Sequence, residues 1–565
     1  MSTLACLESA VQKWELISTQ LEDTLAAYVN ASIVLESFAT ECLIDTNHIT
    51  SRLELEIDVT YIRLTNQLAQ SRSHLARARN KLTTTVYHLP EEIIAAIFSA
   101  FINGIYGKAL AFEDGIQSTY QRLYTLLRVC SDWQRIILTR GAFWSLVPVL
   151  GLEVESHMHS AIALSLERSL GSGLYLAGNV GKLPNETLRR IITQYGPRFC
   201  VLNLYGDTYD TLRDAVAHFL QYGTPGHVTD FSVGYKRRSG ILERHHLFPP
   251  FSAEYTALSN FASSLQNLRV RGFPLYWNTM SFTRLVELLI QDAVFEDPSM
   301  VEDFLLAIAS APTLRSVQII SIQLPNFRDS TNSHPPNQRP GLPIMLPSLQ
   351  SFYLQDLHLN LIELILRSIT LGSYQTVLNF TRESCFYGLI AQDRILHTEK
   401  LALQLEGLKI DTLMFTGWIS DHNLHLILRT LPTIKTLYIS SRNLYEATFR
   451  ALLPPVDAGA GSHNNFPEIH TLYFWDCMIV INNKQELALF KEAVNSHGIQ
   501  ELGFGLPEGL PWVFRPHPRI SSNEGHEYTA SIKEWLEANV PKFKLVRTPN
   551  DLPNYDFQTA LWRLW

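Results

Sequence analysis

Several features that would assign the chain to a familiar class are absent from its 565 residues. No run approaches the roughly 18 uninterrupted apolar residues that a membrane-spanning helix requires. The first residues reach Lys13 and Glu15 without a long apolar stretch, so we expect no signal peptide. The six cysteines form no Cys-x-x-Cys pair and no Cys/His cluster at zinc spacing, which favours a reducing compartment. We therefore expect a cytoplasmic or nuclear protein that does not bind a membrane.

Charge is also scarce, because Asp, Glu, Lys and Arg make up only 18% of the residues. The net charge of −8 gives no general attraction to nucleic acid, so we expect no nucleic-acid partner. Apolar residues make up 46% of the chain, which is ordinary for a folded protein and argues against extensive disorder. A chain of this length is too long for one compact core, so it should divide into domains or extend as repeats.

Motifs that carry catalysis or bind phosphate are missing as well. The sequence contains no Gly-x-x-x-x-Gly-Lys-Ser/Thr, Gly-x-Gly-x-x-Gly, His-Glu-x-x-His or Gly-x-Ser-x-Gly. Its paired histidines have no carboxylate or cysteine at ligand spacing, and Cys130 fits an apolar helix face as a packing residue. We therefore predict that the chain is not an enzyme and has no catalytic residue, cofactor or metal site.

Glycine and proline are absent from residues 1–89, although both are common in the rest of the chain. Apolar residues recur there in steps of three and four, which predicts two long amphipathic helices within residues 1–84. A polar stretch at residues 45–51 should form the turn, with Thr50 or Ser51 capping the second helix. Two arrangements remain open: an antiparallel hairpin within one chain, or a dimeric coiled coil that would bring two copies together.

Two short stretches follow that combine helix signals with a large apolar surface. In His-Leu-Pro-Glu-Glu-Ile-Ile-Ala-Ala-Ile-Phe, which starts at residue 88, Pro90 suits a first helical turn, and the two glutamates complement the helix dipole. Ile93, Ile94, Ile97 and Phe98 should then form one broad apolar face. The second stretch repeats this pattern at Leu126, Val129, Cys130, Trp133 and Ile137, and ends in Phe143 and Trp144. Core helices of a larger domain would show the same periodicity.

The residues themselves resemble the F-box, a small helical module, in a form with a long insertion. The match covers residues 85–148 and consists of Leu-Pro-x-Glu-Ile, Val-Cys-x-x-Trp and a closing tryptophan, with residues 103–119 as the insertion. The resemblance implies that this module binds a Skp-family adaptor, which joins F-box proteins to a cullin ubiquitin ligase. It also implies that Leu138 and Trp144 pack within the module. By the same resemblance the adaptor would contact Leu89, Pro90, Ile93, Ile94, Ile97, Val129 and Trp133.

A different pattern, apolar-x-x-apolar-x-apolar, recurs from residue 196 onwards. Each copy predicts a short strand, and several are followed by a helical segment such as 300–311, 359–369, 421–430 or 484–496. The copies begin at Phe199, Val228, Leu265, Leu285, Leu314, Leu349, Ile410, Ile434, Ile469 and Ile499. Strand–helix units at this irregular spacing resemble degenerate leucine-rich repeats, which imply a solenoid.

The predicted fold class is therefore α/β. An N-terminal α-helical hairpin or coiled coil (1–84) and an F-box-like helical module (85–148) precede an irregular leucine-rich-repeat-like α/β solenoid (196–505). Residues 149–195 should form a linker and the first elements of the solenoid, beginning with helix 159–170 and strand 174–176. Residues 506–565, with helix 531–539 and the terminal Trp562 and Trp565, should cap its open end.

Side chains near the strand ends are candidates for target binding. Aromatic residues there should lie partly on the concave face of a solenoid, a surface that favours protein recognition, although core packing explains them equally well. These candidates are Tyr353, Trp418, Tyr438, Tyr473 and Trp475. Asp292, Asp356 and Asp476 follow strands at equivalent positions, so they should either form turns or bind a ligand along one edge.

Together these patterns predict the substrate-recognition adaptor of a Skp–cullin–F-box-type ubiquitin ligase. The F-box-like helices would dock the Skp-family adaptor and, through it, a cullin, and the solenoid would hold a target protein. The alternative is a repeat-based protein-interaction scaffold with no ubiquitin-ligase role. An enzyme built on strand–helix units is a third class, but the missing motifs disfavour it.

The segment from Gln323 to Leu349 contains six prolines separated by polar residues, a composition that offers no core. We therefore predict that limited proteolysis of the full chain cuts first within residues 326–341. Deleting those residues should leave the melting temperature nearly unchanged. Differential scanning fluorimetry checks this, and a drop comparable to that of a core substitution would show that the segment packs on the repeats.

Overall fold

The chain divides into two compact units, Met1–Ile94 and Ala95–Trp565, in a computed structural model. Each unit is described by itself, and residues outside the following ranges are left undescribed. The structure describes residues 3–39, 47–83, 86, 89–103, 111–150, 155–181, 186–235, 246–324, 344–370, 372, 374–381, 384, 398–406, 408–416, 420–440, 443–455, 466–481, 483–505, 514–515, 522–546 and 562–564.

The first unit contains the two predicted long helices. The first is α1 (Thr3–Ala39), and the second runs from α2 (Asn47–Leu55) through a π-helical turn (Glu56–Thr60) into α3 (Tyr61–Thr83). Because the second helix already begins at Asn47, Thr50 and Ser51 lie inside it, and their predicted capping role is wrong. Side chains of α1 and α3 line one groove of about 580 Å³, as expected for neighbouring helices of a hairpin.

The helical module differs from its prediction at two points. Its helices are α4 (Glu91–Ile102), α5 (Phe112–Leu127) and α6 (Ser131–Thr139), followed by a 3₁₀ turn (Gly141–Trp144). The expected insertion at 103–119 is partly helical, because α5 begins at Phe112. The second predicted helix is broken at Cys130, whose backbone is extended and precedes α6, so this cysteine does not lie on a helix face. Trp144 is buried and its indole N–H donates to the Ile137 carbonyl oxygen, as expected for a packing residue.

Fourteen strands of the described chain form one open sheet in which every pairing is parallel. Successive strands are neighbours, so the sheet grows in chain order. The strands are β1 (Leu146–Val149), β2 (Leu174–Val180), β3 (Phe199–Gly206), β4 (Asp230–Tyr235), β5 (Asn267–Arg271), β6 (Glu287–Gln291), β7 (Ser316–Ile320), β8 (Ser351–Gln355), β9 (Gln375–Phe380), β10 (Thr412–Thr416), β11 (Thr436–Ser440), β13 (Thr471–Trp475), β15 (Glu501–Gly505) and β17 (Lys542–Val546).

A second, three-stranded parallel sheet is built from β12 (Asn443–Leu444), β14 (Met478–Val480) and β16 (Phe514–Arg515). Helices connect many of the strands, because parallel neighbours require a crossover rather than a hairpin turn. These helices are α7 (Glu155–Arg168), α8 (Glu186–Tyr195), α9 (Tyr209–Tyr222), α10 (Ala253–Ala262), α11 (Pro298–Ala309), α12 (Leu359–Ser368), α13 (Thr398–Leu405), α14 (Asp421–Thr430), α15 (Glu446–Leu452), α16 (Lys484–Ser496) and α17 (Ser522–Asn539).

All ten copies of the apolar pattern coincide with strands of the large sheet. In each strand the second and third apolar residues point to the helices, as Leu288 and Ile290 do in β6. Helix residues such as Phe304 of α11 belong to the same continuous core, so the helices pack on one face, which we call the helix face. The sequence pattern missed β9, because Gln375 stands where the other copies have their leading apolar residue.

The sheet also extends beyond its predicted limits of residues 196 and 505. It begins at β1 and β2, inside or before the expected linker, and β17 adds its last strand. Addition of β17 agrees with a terminal cap, but Trp562 is not part of that end. Its ring stacks on Tyr205 of β3 at 5.8 Å between ring centroids, near the first strands of the sheet. The proline-rich segment lies outside the described residues.

At non-glycine residues, a left-handed backbone occurs directly after four strands, at three aspartates and at Ser321. Asp292, Asp356 and Asp476 have φ angles of 53°, 53° and 50°, and each directly follows a strand. Aspartate tolerates this conformation better than most residues, because its short side chain can form local hydrogen bonds. Asp292 also accepts a hydrogen bond from Arg271 Nε at 2.7 Å. The turn-forming interpretation therefore accounts for these residues, and a ligand role is not needed.

We predict that each of the substitutions Leu288→Ala, Leu437→Ala and Leu472→Ala lowers the free energy of unfolding by about 2–5 kcal/mol, because each leaves a cavity in the shared core. Leu306→Ala is the matched control, since this leucine of α11 is 63% exposed. Urea titration of the full chain measures the change. If all three variants lost no more unfolding free energy than the Leu306→Ala control, the continuous core would be contradicted.

Candidate functional site

Helix α4 begins with a residue suited to that position. Pro90 needs no hydrogen-bond partner for its nitrogen, and its carbonyl oxygen accepts the amide of Ile94 at 3.1 Å. Glu91 and Glu92 occupy the first turn, where negative charge is favourable. The local sequence thus determines where the helix starts and therefore which of its residues share a face.

One side of α4 is buried. Ile94, Phe98 and Ile102 are spaced four residues apart and are each less than a tenth exposed. Phe98 packs on Trp133 of α6 with ring centroids 4.6 Å apart, and it also contacts Phe143 at 6.4 Å. This aromatic group holds the second half of α4 against α6.

The other side of the same helix is apolar and exposed. Ile93, Ile97 and Phe101 are also spaced four residues apart and are 48%, 49% and 46% exposed. Leu89, which precedes the helix, is 37% exposed, and Pro90 is exposed as well. We call Leu89, Pro90, Ile93, Ile97 and Phe101 the α4 face. A row of large apolar side chains in water is unusual unless a partner covers it.

The structure separates the predicted adaptor-binding residues into two groups. Five are exposed: four belong to the α4 face, and Val129 is 53% exposed between α5 and α6. Ile94 is only 7% exposed, so its predicted contact with a partner is wrong, because it packs inward. Trp133 is half-buried and contributes its ring to the contact with Phe98. The sequence pattern had suggested one broad face, and it also missed Phe101.

The predicted target-binding aromatics are not an open surface. Tyr353, Tyr438 and Tyr473 are 5%, 1% and 0% exposed and belong to a second apolar cluster with Ile320, Val377 and Met414. These residues alternate along the strands with those that point to the helix face, so the cluster lies on the opposite face, which we call the outer face. Trp475 is half-buried beside the cluster, and Trp418 lies outside the described residues.

The register of neighbouring strands explains why these aromatic side chains are buried. Met414, Tyr438 and Tyr473 are direct neighbours across β10, β11 and β13, and the two tyrosine rings stack at 5.1 Å. Gly503 follows on β15, where a Cβ atom would lie 2.2 Å from the Tyr473 ring. The missing side chain leaves room for that ring. Sequence alternation separated these residues from those of the helix face, but it could not show that neighbouring rings would cover one another.

A polar group lies next to this stack. The Tyr473 hydroxyl donates to Glu501 Oε1 at 2.6 Å, and Lys544 Nζ donates to the same oxygen at 2.8 Å. The hydrogen bond from Lys544 is the main reason that the pKa of Glu501 is lowered, and the Tyr473 hydroxyl adds to it. Burial raises the pKa of Tyr473, and Glu501 raises it further. The group is a satisfied network, because each charged or polar atom named has a partner.

Clusters of side chains that could bind a metal or act in catalysis are scarce in the described parts of the chain. No group of three His, Cys, Asp or Glu residues among them could hold a metal ion. No described helix is long and apolar enough to cross a membrane. Cys6, Cys130, Cys200 and Cys477 are free thiols, and burial raises the pKa of Cys200, which disfavours a reactive thiolate there.

No protein-family model matches this sequence, and a search of curated proteins found no match. In the helical module, the α4 face is an exposed apolar surface formed by five residues close together in the chain.

The two sides of α4 can be tested with one residue type. We predict that Phe98→Ala lowers the free energy of unfolding by about 3–5 kcal/mol, because it removes the ring packed on Trp133. Phe101→Ala, one turn further along the same helix, should cost under about 1 kcal/mol, since that ring is already half in water. Denaturant titration with hydrogen exchange of the α4 amides measures both. Equal losses would mean that both faces are buried.

Proposed function

We propose that the chain is the substrate-recognition adaptor of a Skp–cullin–F-box-type ubiquitin ligase. In this proposal residues 85–148 are an F-box-like module whose α4 face binds the Skp-family adaptor. The observation that carries the proposal is the α4 face itself. Its exposed leucine, proline and isoleucines are the positions that the family resemblance assigns to adaptor binding.

The exposure of these residues supports docking over a purely structural role. A core helix buries all of its large apolar side chains, whereas α4 keeps Ile93 and Ile97 half exposed and buries Ile94 and Phe98. The buried side suffices to hold the helix in place, so the exposed side is available to a partner. Apolar residues at the centre of an interface commonly contribute over about 1 kcal/mol each.

We further propose that the large sheet is an irregular leucine-rich-repeat-like solenoid that binds the target protein. Two observations support this: the strands follow one another in chain order, and the helix-face residues form one continuous core. Such a chain would perform no chemistry. It would raise the effective concentration of a target near the ubiquitin-conjugating enzyme, in the cytoplasm or nucleus, and that proximity would increase the rate.

A second candidate is a protein-interaction scaffold with no ubiquitin-ligase role, and the first unit favours it. Many large apolar residues of α1 remain exposed despite the neighbouring α3; Leu16, Ile33 and Phe38 are 61%, 56% and 63% exposed. Burial of exposed apolar helix residues is the usual driving force for coiled-coil association. Self-association through residues 1–84 would suit a scaffold, and adaptor binding must decide between the two functions.

The deciding experiment is adaptor binding by a double variant, Leu89→Ala with Pro90→Ala. Removing apolar area at the start of α4 should weaken binding of a purified Skp-family adaptor tenfold or more, as measured by isothermal titration calorimetry. The melting temperature should change little, because both residues are already exposed. Leu306→Ala, at an exposed leucine of α11, is the control and should bind as the wild type does.

Two outcomes would overturn the proposal. A folded double variant with wild-type affinity would exclude the α4 face as the docking surface. A wild-type chain that binds no Skp-family adaptor would leave the scaffold as the better function.

A further inference from the structure

The described end of the chain lies on the outer face of the sheet, far from its neighbours in sequence. Trp562 and Leu564 are each 4% exposed, and the indole of Trp562 stacks on Tyr205 of β3. We call residues 562–564 the tail segment. Asn203 of β3 precedes it by about 360 residues, so this contact is tertiary in origin.

Asn203 of β3 makes three hydrogen bonds to the tail segment. Its Oδ1 accepts the indole N–H of Trp562 at 2.8 Å. Its Nδ2 donates to the carbonyl oxygens of Arg563 at 3.0 Å and of Leu564 at 2.8 Å. Asn203 is only 3% exposed, so the side chain is committed to the tail. It recognises two backbone carbonyls and one indole, which are features that any peptide with a tryptophan at the first position presents.

Short side chains open the space that the tail fills. Asn203 shares one register position with Ala177 of β2 and Ser232 of β4, whereas Leu289, Gln318 and Tyr353 occupy that position on β6, β7 and β8. Gly234 is equally important, because a Cβ atom there would lie 2.9 Å from the Trp562 ring. A larger residue at Gly234 would therefore collide with the indole.

A cation and a helix complete the enclosure. The guanidinium of Arg269 on β5 lies 5.1 Å from the centre of the Trp562 ring, within cation–π distance. Burial and the nearby charge of Arg563 lower the pKa of Arg269 to about 10, so it stays charged at neutral pH. On the other side Leu564 meets Gly115 of α5, where a Cβ atom would lie 3.3 Å from the leucine Cβ.

We infer that this enclosure is a peptide-recognition site for a Trp-x-Leu segment, and that the tail segment occupies it within the same chain. A target protein that carries a Trp-x-Leu segment would bind by displacing the tail. The inference goes beyond the proposed function, because it assigns a recognition site and its regulation without any role for the adaptor.

The chemistry of the contact favours such exchange. At the central residue of the segment, Arg563, Asn203 contacts the backbone carbonyl oxygen, so this hydrogen bond does not depend on which side chain stands at that position. The tail belongs to the same chain as the enclosure, so its binding is intramolecular and the intact chain should resist weak competitors. Only a segment that matches both the indole and the leucine contacts would compete well.

The test uses a fluorescein-labelled peptide with the sequence of residues 556–565 and fluorescence anisotropy. A variant from which residues 561–565 are removed should bind the peptide, and the full chain should bind it at least tenfold more weakly. Adding Asn203→Leu to the shortened variant should abolish binding, because it removes all three hydrogen bonds. Gln318→Leu is the matched control at the same register position on β7 and should bind as the shortened variant does. A labelled peptide that carries Trp562→Ala should bind neither form.

Each possible result supports or contradicts the proposed peptide site. Equal binding by the full and shortened chains would show that the tail does not occupy the site, and no binding by a folded shortened chain would show that the tail is only structural. If the shortened chain does not fold, the full chain with Trp562→Ala replaces it. Peptide binding by that variant supports the inference, and its failure to bind or to fold overturns it. Adaptor binding is not measured, so the result stands apart from the docking experiment.

Discussion

Parallel strand pairing imposes the constraint on which the second unit depends. Every interior strand must hydrogen-bond to two neighbours and still return to the same edge of the sheet, so the chain needs a crossover before each new strand. In this protein the helices of those crossovers pack on one face. Each strand therefore contributes alternate apolar residues, such as Leu437 and Ile439 of β11, to a core that continues from one strand to the next.

Because the crossover helices pack on one face, the outer face must be covered in another way. Along β8–β13 it is covered by its own side chains, since Tyr438 and Tyr473 stack directly across neighbouring strands. Along β2–β4 short residues leave a depression beside Arg269 of β5, and Trp562 fills it from a distant part of the sequence. The same register that builds the helix-face core thus produces an aromatic stack at one end and a recognition pocket at the other.

Helix α4 has one buried apolar side and one exposed apolar side. Its apolar residues occupy adjacent positions, so a helix of 3.6 residues per turn directs Ile93 and Ile97 to one side and Ile94 and Phe98 to the other. On the inward side Phe98 packs on Trp133, whereas Ile93 and Ile97 on the outward side are about half exposed. An anchored helix with an apolar outer side is a preformed docking element, because binding would cost it little conformational entropy.

The sequence alone was sufficient for features whose cause is local. Absence of glycine and proline marked the two long helices, Pro90 marked the start of α4, and period-two alternation located ten strands, since each signal acts through a few adjacent residues. It missed β9, where Gln375 replaces an apolar residue, and it could not separate Ile94 from Ile93, because periodicity does not say which side meets Trp133. Burial of Tyr438 and the position of Trp562 were decided only by tertiary structure. Both depend on partners 35 or more residues away, brought together by strand register rather than by any neighbour in the chain.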